Sequence, residues 1–285
     1  MLELITFIIK DFTMQSFRSG RKYLILLPLI FTCSCVHNPY YVSNKMYKKQ
    51  AKQFSNDIKK YPLEDSINSS SFWAGTTNFG LRKPNFVIIH HTDQSSCEQT
   101  LKTFTMTKTQ VSAHYVICKD GTIFHMLNDY FRAWHAGVSQ WGNLTDVNSA
   151  SIGIELDNDA HSIFPDVQIQ SLLKLLSSLK KKYNIPTANF IGHADIAPGR
   201  KVDPSRFFPW KTLAENGFGY WYDTTNLAMP DHFNALLALR IIGYNIQDSV
   251  NAIQSFKIHF TPNDSTQYLT EGDQKILFSL ERKYQ

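Results

Sequence analysis

Between Phe190 and Pro204 the chain reads Phe-Ile-Gly-His-Ala-Asp-Ile-Ala-Pro-Gly-Arg-Lys-Val-Asp-Pro, which gathers His193, Asp195, Lys201 and Asp203 around the turn residues Pro198 and Gly199. An apolar run that ends in histidine and passes into a Pro/Gly loop is how a strand delivers side chains to the rim of a sheet. The imidazole of His193 and the carboxylate of Asp203 are ligand types that zinc accepts, and a catalytic zinc needs a third protein ligand with a fourth position left open. The candidate is His90, which closes the apolar run Phe86-Val87-Ile88-Ile89-His90. Glu155 ends a further run, Ser151-Ile152-Gly153-Ile154-Glu155. A carboxylate at a strand end, near ligands from other strand ends, is placed to take a proton from an attacking water. Taken alone, a glutamate there is more commonly a rim salt bridge. Lys201 precedes Asp203 by two residues, so an extended segment turns both side chains the same way. Such an ammonium would stabilise an oxyanion; by itself it reads as a solvated surface lysine.

The elements that must position these groups alternate along the chain. Phe86–Ile89, Ser151–Leu156 and Asn189–Ile191 read as strands, and Tyr115–Cys118 with Thr122–Met126 as a hairpin turned by Lys119-Asp120-Gly121. Ser96–Thr107 reads as a helix, and Pro165 opens another in which Ile169, Leu172, Leu173, Leu176, Leu179 and Tyr183 recur at helical spacing. The expected fold class is α/β, with a central, mostly β-sheet flanked by helices. Phe207-Phe208-Pro209-Trp210 closes this part, and the polar run Asp223-Thr224-Thr225-Asn226 marks a boundary. Three amphipathic helices follow, on the faces Phe233/Leu236/Leu237/Arg240/Ile241, Val250/Ile253/Phe256/Phe260 with Asp248 as cap, and Ile276/Leu277/Leu280/Tyr284, giving a small three-helix C-terminal domain.

Five motifs occur in order: Val87-Ile88-Ile89-His90-His91-Thr92, Ser112-Ala113-His114-Tyr115, Ala133-Trp134-His135-Ala136-Gly137, Ile152-Gly153-Ile154-Glu155, and Gly192-His193 through Arg200-Lys201-Val202-Asp203-Pro204. Together they closely resemble the zinc-dependent N-acetylmuramoyl-L-alanine amidases of type 2, relatives of the peptidoglycan recognition proteins, over roughly residues 85–210. The resemblance implies a Zn2+ ion held by His90, His193 and Asp203, with Glu155 as general base and Lys201 beside the oxyanion. It implies hydrolysis of the amide between N-acetylmuramic acid and the L-alanine of the stem peptide, so that peptidoglycan or muropeptides are the substrate. His135 and Trp134 belong to a motif that lines the substrate cleft in that family, although for Trp134 filling the core is the favoured reading. The C-terminal helices resemble a peptidoglycan-binding domain; a bundle that only buttresses the enzyme is the plainer alternative. Two other functions stay open: a recognition module that binds wall fragments without cutting them, and a zinc hydrolase of similar fold acting on peptide bonds.

The first residues read as a targeting segment. Arg18, Arg21 and Lys22 precede the short apolar run Tyr23–Phe31, closed by Thr32-Cys33-Ser34-Cys35. This resembles a lipoprotein signal, with Cys35 a slightly better match than Cys33; an ordinary cleaved signal or a membrane anchor is the alternative. The expected organisation is signal over 1–35, with Met14 as a candidate start, tether over 36–83 carrying a short helix around Lys45–Ile58, amidase domain over 84–222 and helical domain over 223–285. The expected location is the periplasmic face of an outer membrane, attached to the bilayer through a lipidated cysteine, or else secreted or free in the periplasm. A net charge of +5 suits work near anionic envelope polymers, and the lack of a concentrated basic stripe with interleaved aromatics argues against nucleic acid. The chain is expected to act as a monomer. Cys97 and Cys118 have a chance to pair after export, with two separate buried thiols an equal reading.

Overall fold

The computed structural model describes residues 38–59 and 83–285. The expected signal segment with Cys33 and Cys35, and residues 60–82 of the expected tether, lie outside the described residues. Helix α1 runs Tyr41–Ile58, starting four residues before the helix expected at Lys45, and buries none of its side chains. Tyr47 and Phe54 on it rest against the ring of Phe131, with centroids 6.3 and 5.9 Å away.

Five strands follow, β1 (Phe86–His91), β2 (Tyr115–Ile117), β3 (Ile123–His125), β4 (Ser151–Leu156) and β5 (Phe190–Gly192), forming one sheet in the order β3-β2-β4-β1-β5. Strands β2, β4, β1 and β5 are mutually parallel, and β3 is the antiparallel edge of a hairpin. A parallel strand covered on both faces reads as an unbroken apolar run, as Val87-Ile88-Ile89 does. Val87, Ile89, Ile152, Ile154 and Phe190 face α3 (Asp166–Tyr183), whose Leu172, Leu176 and Leu179 complete one core. Ile88 and Ile191 face the other way, into a second core with Trp141 and Val147. The register sets His90 opposite Glu155 and Ile89 opposite Gly192, so His193 follows β5 beside His90.

The remaining helices are α2 (Cys97–Thr105), the single turn α4 (His193–Ile196), α5 (Trp210–Glu215), α6 (Ala235–Ile242), α7 (Ser249–Phe260) and α8 (Glu271–Tyr284). Ala238, Leu239 and Ile242 of α6, Ala252, Ile253, Phe256 and Phe260 of α7, and Ile276, Leu277 and Leu280 of α8 share the second core with the sheet residues Ile88 and Ile191. The face expected for α6 is corrected: Leu236 and Leu237 are exposed, while Ala238, Leu239 and Ile242 are buried. Asn234 caps the helix by accepting from the Leu237 amide, so Phe233 lies outside it. In a helix that is apolar nearly all round, periodicity does not choose the buried stripe.

Cys97 and Cys118 are joined in a disulfide, with Cα atoms 5.4 Å apart, which overturns the reading as two separate thiols. The bond ties the start of α2 to the residue after β2 across a sequence separation of 21. Closing a loop of that length is worth about 3 kcal/mol. Replacing both cysteines by serine should therefore lower the denaturant midpoint, with the unfolding free energy down by about that amount. An unchanged midpoint would show that the bond contributes nothing to stability.

Candidate metal centre

Parallel strands present ligands at their carboxyl ends, and here three neighbouring strands do so together. His90 comes from the end of β1, Glu155 from the end of β4 beside it, and His193 from the first residue after β5. Asp203 returns from the loop after α4, where its carbonyl accepts a hydrogen bond from the Ala194 amide at 2.7 Å. All four side chains are buried.

The Nδ1 atoms of His90 and His193 and Oδ2 of Asp203 form a triangle with sides of 2.9, 3.0 and 3.1 Å. Their far nitrogens fix the tautomers. His193 Nε2 lies 3.1 Å from the carbonyl of Ala136, which can only accept, so the proton sits on Nε2 and the lone pair on Nδ1. His90 Nε2 lies 3.1 Å from His135 Nδ1. His135 Nε2 reaches Ser151 Oγ at 3.2 Å, and that hydroxyl donates to the Val147 carbonyl at 2.6 Å. A consistent set of donors gives His90 its proton on Nε2 and a lone pair on Nδ1. Burial, then repulsion from His193, lowers His90 to about 4, so it is neutral at physiological pH.

Two imidazole lone pairs and a carboxylate thus converge within 3.1 Å. Such electron pairs repel one another unless a cation lies between them. The edges approach the separation of about 3.4 Å between two ligands of a tetrahedral zinc bonded at about 2.1 Å. Among the described residues, His90, His193 and Asp203 are the one group of three able to hold a metal ion. The donor set, two nitrogens and one oxygen, fits zinc.

Glu155 stands just outside this triangle, with Oε1 4.0 Å from His90 Nδ1. Its Oε2 is buried without a hydrogen-bond partner. Burial first and the Asp203 charge second push its carboxyl well up, and only Lys201 pulls it down. A rim salt bridge is not what this carboxylate makes; it is a buried acceptor aimed beside the donor triangle. Lys201 is half-buried and electrostatically coupled to it.

His135 sits behind the centre rather than in a cleft. It is buried, with one ring nitrogen bonded to His90 and the other to Ser151, which leaves neither free for a substrate. Gly153, on β4, makes room for it, since a Cβ there would overlap the His135 ring. Asn148 fixes the backbone of this segment by accepting from the amides of His135 and Ala136 at 3.1 and 2.9 Å. Trp134 is half exposed rather than in the core, and its backbone is latched to Ser112 in both directions. Arg200 donates to the same Ala136 carbonyl as His193, at 2.6 Å. The residues missed in the sequence are Asn148 and Ser151, which hold His135 and its neighbour Ala136, and Arg200, which shares the Ala136 carbonyl with His193. The one available signal was a glycine between two isoleucines inside a strand, which marks close approach by another group.

The family model of N-acetylmuramoyl-L-alanine amidase matches residues 80–206. The N-acetylmuramoyl-L-alanine amidase AmiD of Escherichia coli K12 is 32% identical over 233 residues, covering 70% of this chain and 82% of that one. The 1,6-anhydro-N-acetylmuramyl-L-alanine amidase AmpD of Haemophilus influenzae is 41% identical over 103 residues, covering 36% of this chain and 56% of that one. Among solved structures, E. coli AmiD in complex with the substrate anhydro-N-acetylmuramic acid-L-Ala-D-gamma-Glu-L-Lys has a TM-score of 0.65 at 30% identity, covering 74% of this chain and 93% of that chain. AMPDH3 from Pseudomonas aeruginosa has a TM-score of 0.66 at 30% identity, covering 78% and 99%.

Proposed function

This chain belongs to the N-acetylmuramoyl-L-alanine amidase family, and from that premise we propose that it works as a zinc enzyme with His90, His193 and Asp203 as ligands, Glu155 as general base and Lys201 as oxyanion partner. It is a peptidoglycan hydrolase that cleaves the amide between N-acetylmuramic acid and the L-alanine of the stem peptide. The observation that carries the mechanistic reading is the convergence of three lone-pair donors beside a buried glutamate oxygen without a partner.

Zinc, when bound, would acidify a water and polarise the scissile carbonyl. Glu155 takes a proton from the attacking water and returns it to the leaving amine. Lys201 offsets the negative charge that develops on the carbonyl oxygen. His135, Ser151 and the Ala136 carbonyl hold the two ligand imidazoles in the tautomer that leaves Nδ1 free. Trp134, half exposed next to His135, offers a ring face for the sugar or peptide of a muropeptide.

The charge of Lys201 has a consequence for pH. Glu155 acts only when ionised, so activity rises with pH through its pKa, and the charge of Lys201 acts to lower that pKa. Lys201→Ala should move the acid limb of kcat/KM to higher pH, besides lowering the plateau. A limb that stays in place would separate Lys201 from Glu155.

We further place the enzyme in the cell envelope, anchored through Cys33 or Cys35 to the periplasmic face of an outer membrane. The signal-like N-terminal segment supports this, as does the Cys97–Cys118 bond, since disulfides persist in oxidising compartments. The test is the metal content of the protein beginning after Cys35, together with mass analysis of the products from purified muropeptides. One zinc per chain with chelator-sensitive release of intact stem peptide is expected. Zinc without cleavage would make it a recognition module; a cut inside the peptide would make it a different zinc hydrolase; no zinc would remove the ligand assignment.

A further inference from the structure

Helix α4 is a single turn, too short to hold its own shape, yet its first residue, His193, must put Nδ1 within 3.0 Å of Asp203 and 2.9 Å of His90. What fixes it is Asp195, 1% exposed. Its Oδ2 accepts from the amide of Gly192, at the joint between β5 and α4, at 2.7 Å. The other donors come from the far end of the chain. Tyr244, after α6, donates its hydroxyl to Oδ1 at 2.7 Å, and His259 of α7 places Nδ1 2.8 Å from Oδ2. The His259 ring lies between Trp210 and Phe260, stacked on each, with centroids 3.9 and 4.1 Å away. A further contact secures the other end of the loop. Gly199, at φ +73°, has no room for a Cβ because the side chain of Asn251 in α7 occupies that space.

We propose that Tyr244 and His259 are positioning residues of the metal centre: through Asp195 they hold the turn that presents His193, so the C-terminal helices are a working part of the catalytic site. The inference depends on the zinc reading above. A buried carboxylate bonded by three donors has one stable pose, and metal ligands must be held within about 0.5 Å of their working geometry. Removing the His259 donor leaves Asp195 under-bonded in an apolar setting, from which it moves and takes the His193 turn with it. Outer-shell partners of this kind are worth about 10–100-fold in metal affinity. The same helices contribute Ala238, Leu239, Ala252 and Phe256 to the core behind the sheet, so the coupling must be separated from bulk stability.

The experiment measures zinc affinity of the purified protein by competition with a chromogenic chelator, alongside thermal unfolding, for wild type, His259→Ala, His259→Asn and Tyr244→Phe. His259→Ala should weaken zinc binding by about 10–100-fold. His259→Asn, whose amide nitrogen stands near the place of Nδ1, should recover most of that loss without the stacked ring. Tyr244→Phe removes one hydroxyl and keeps the packing, so it remains informative if His259→Ala does not fold; a weakening of several-fold is expected. Folded variants that melt earlier but bind zinc as tightly as wild type would overturn the proposal and leave a purely structural network. A wild type that binds no zinc would overturn the functional reading, and this inference with it.

Discussion

Glu155→Gln should cut stem-peptide release by about 10²–10⁴-fold, the range a general base supplies, while the protein keeps one zinc per chain. Glutamine preserves the shape of the side chain and removes its basicity. Because Oε1 of Glu155 stands 4.0 Å from His90 Nδ1, outside the 2.9–3.1 Å triangle, the exchange takes no donor from the metal. The carboxylate is also buried with Oε2 unpartnered, so a neutral amide relieves an unfavourable charge and should not weaken the fold. Two results would sink the assignment. Near-wild-type turnover would remove Glu155 from proton transfer, and loss of zinc would make it a ligand.

Removing a ligand should act more broadly. Asp203→Asn keeps the volume of the side chain and deletes the one anionic donor of the triangle, leaving two neutral imidazoles and an amide. Zinc content should fall below stoichiometry, and the rate should fall by more than the about 10–100-fold that loss of an outer-shell partner costs. Stability gives an independent reading. A metal that binds only the folded state raises the melting temperature, so a chelator should lower the melting temperature of the wild type and leave that of Asp203→Asn unchanged. A variant that retains stoichiometric zinc and chelator-sensitive activity would exclude Asp203 from the ligand set.

The frame of this site was legible in the sequence because parallel strands leave a plain trace. Val87-Ile88-Ile89-His90 and Ile152-Gly153-Ile154-Glu155 are apolar runs ended by a polar group, and their pairing in register puts His90 beside Glu155. What escaped depends on which group a loop residue meets. His135 belongs to a motif that suggested a substrate contact, but both its nitrogens are spent inside the protein, on His90 and Ser151. The partners of Asp195 are not visible in the sequence either, because Tyr244 and His259 lie 49 and 64 residues downstream, a distance over which local pattern carries no information. The Cys97–Cys118 pairing was hidden for the same reason, and the buried stripe of α6 because seven of its eight residues are apolar.

The strand order β3-β2-β4-β1-β5 also has a history in time. β1, which carries His90, lies at the interior of the sheet between β4 and β5, yet it is the first of the five strands to be synthesised. Its neighbours begin only at Ser151 and Phe190, so a growing or refolding chain carries Phe86–His91 with both hydrogen-bonding edges bare until distant segments return to it. Pairings so far apart in sequence close slowly, and a bare apolar strand is a template for association with other chains. A metal held by the group His90, His193 and Asp203 could not hurry this step, because Asp203 is made later still. The strand at the centre of the site is therefore made early and completed late.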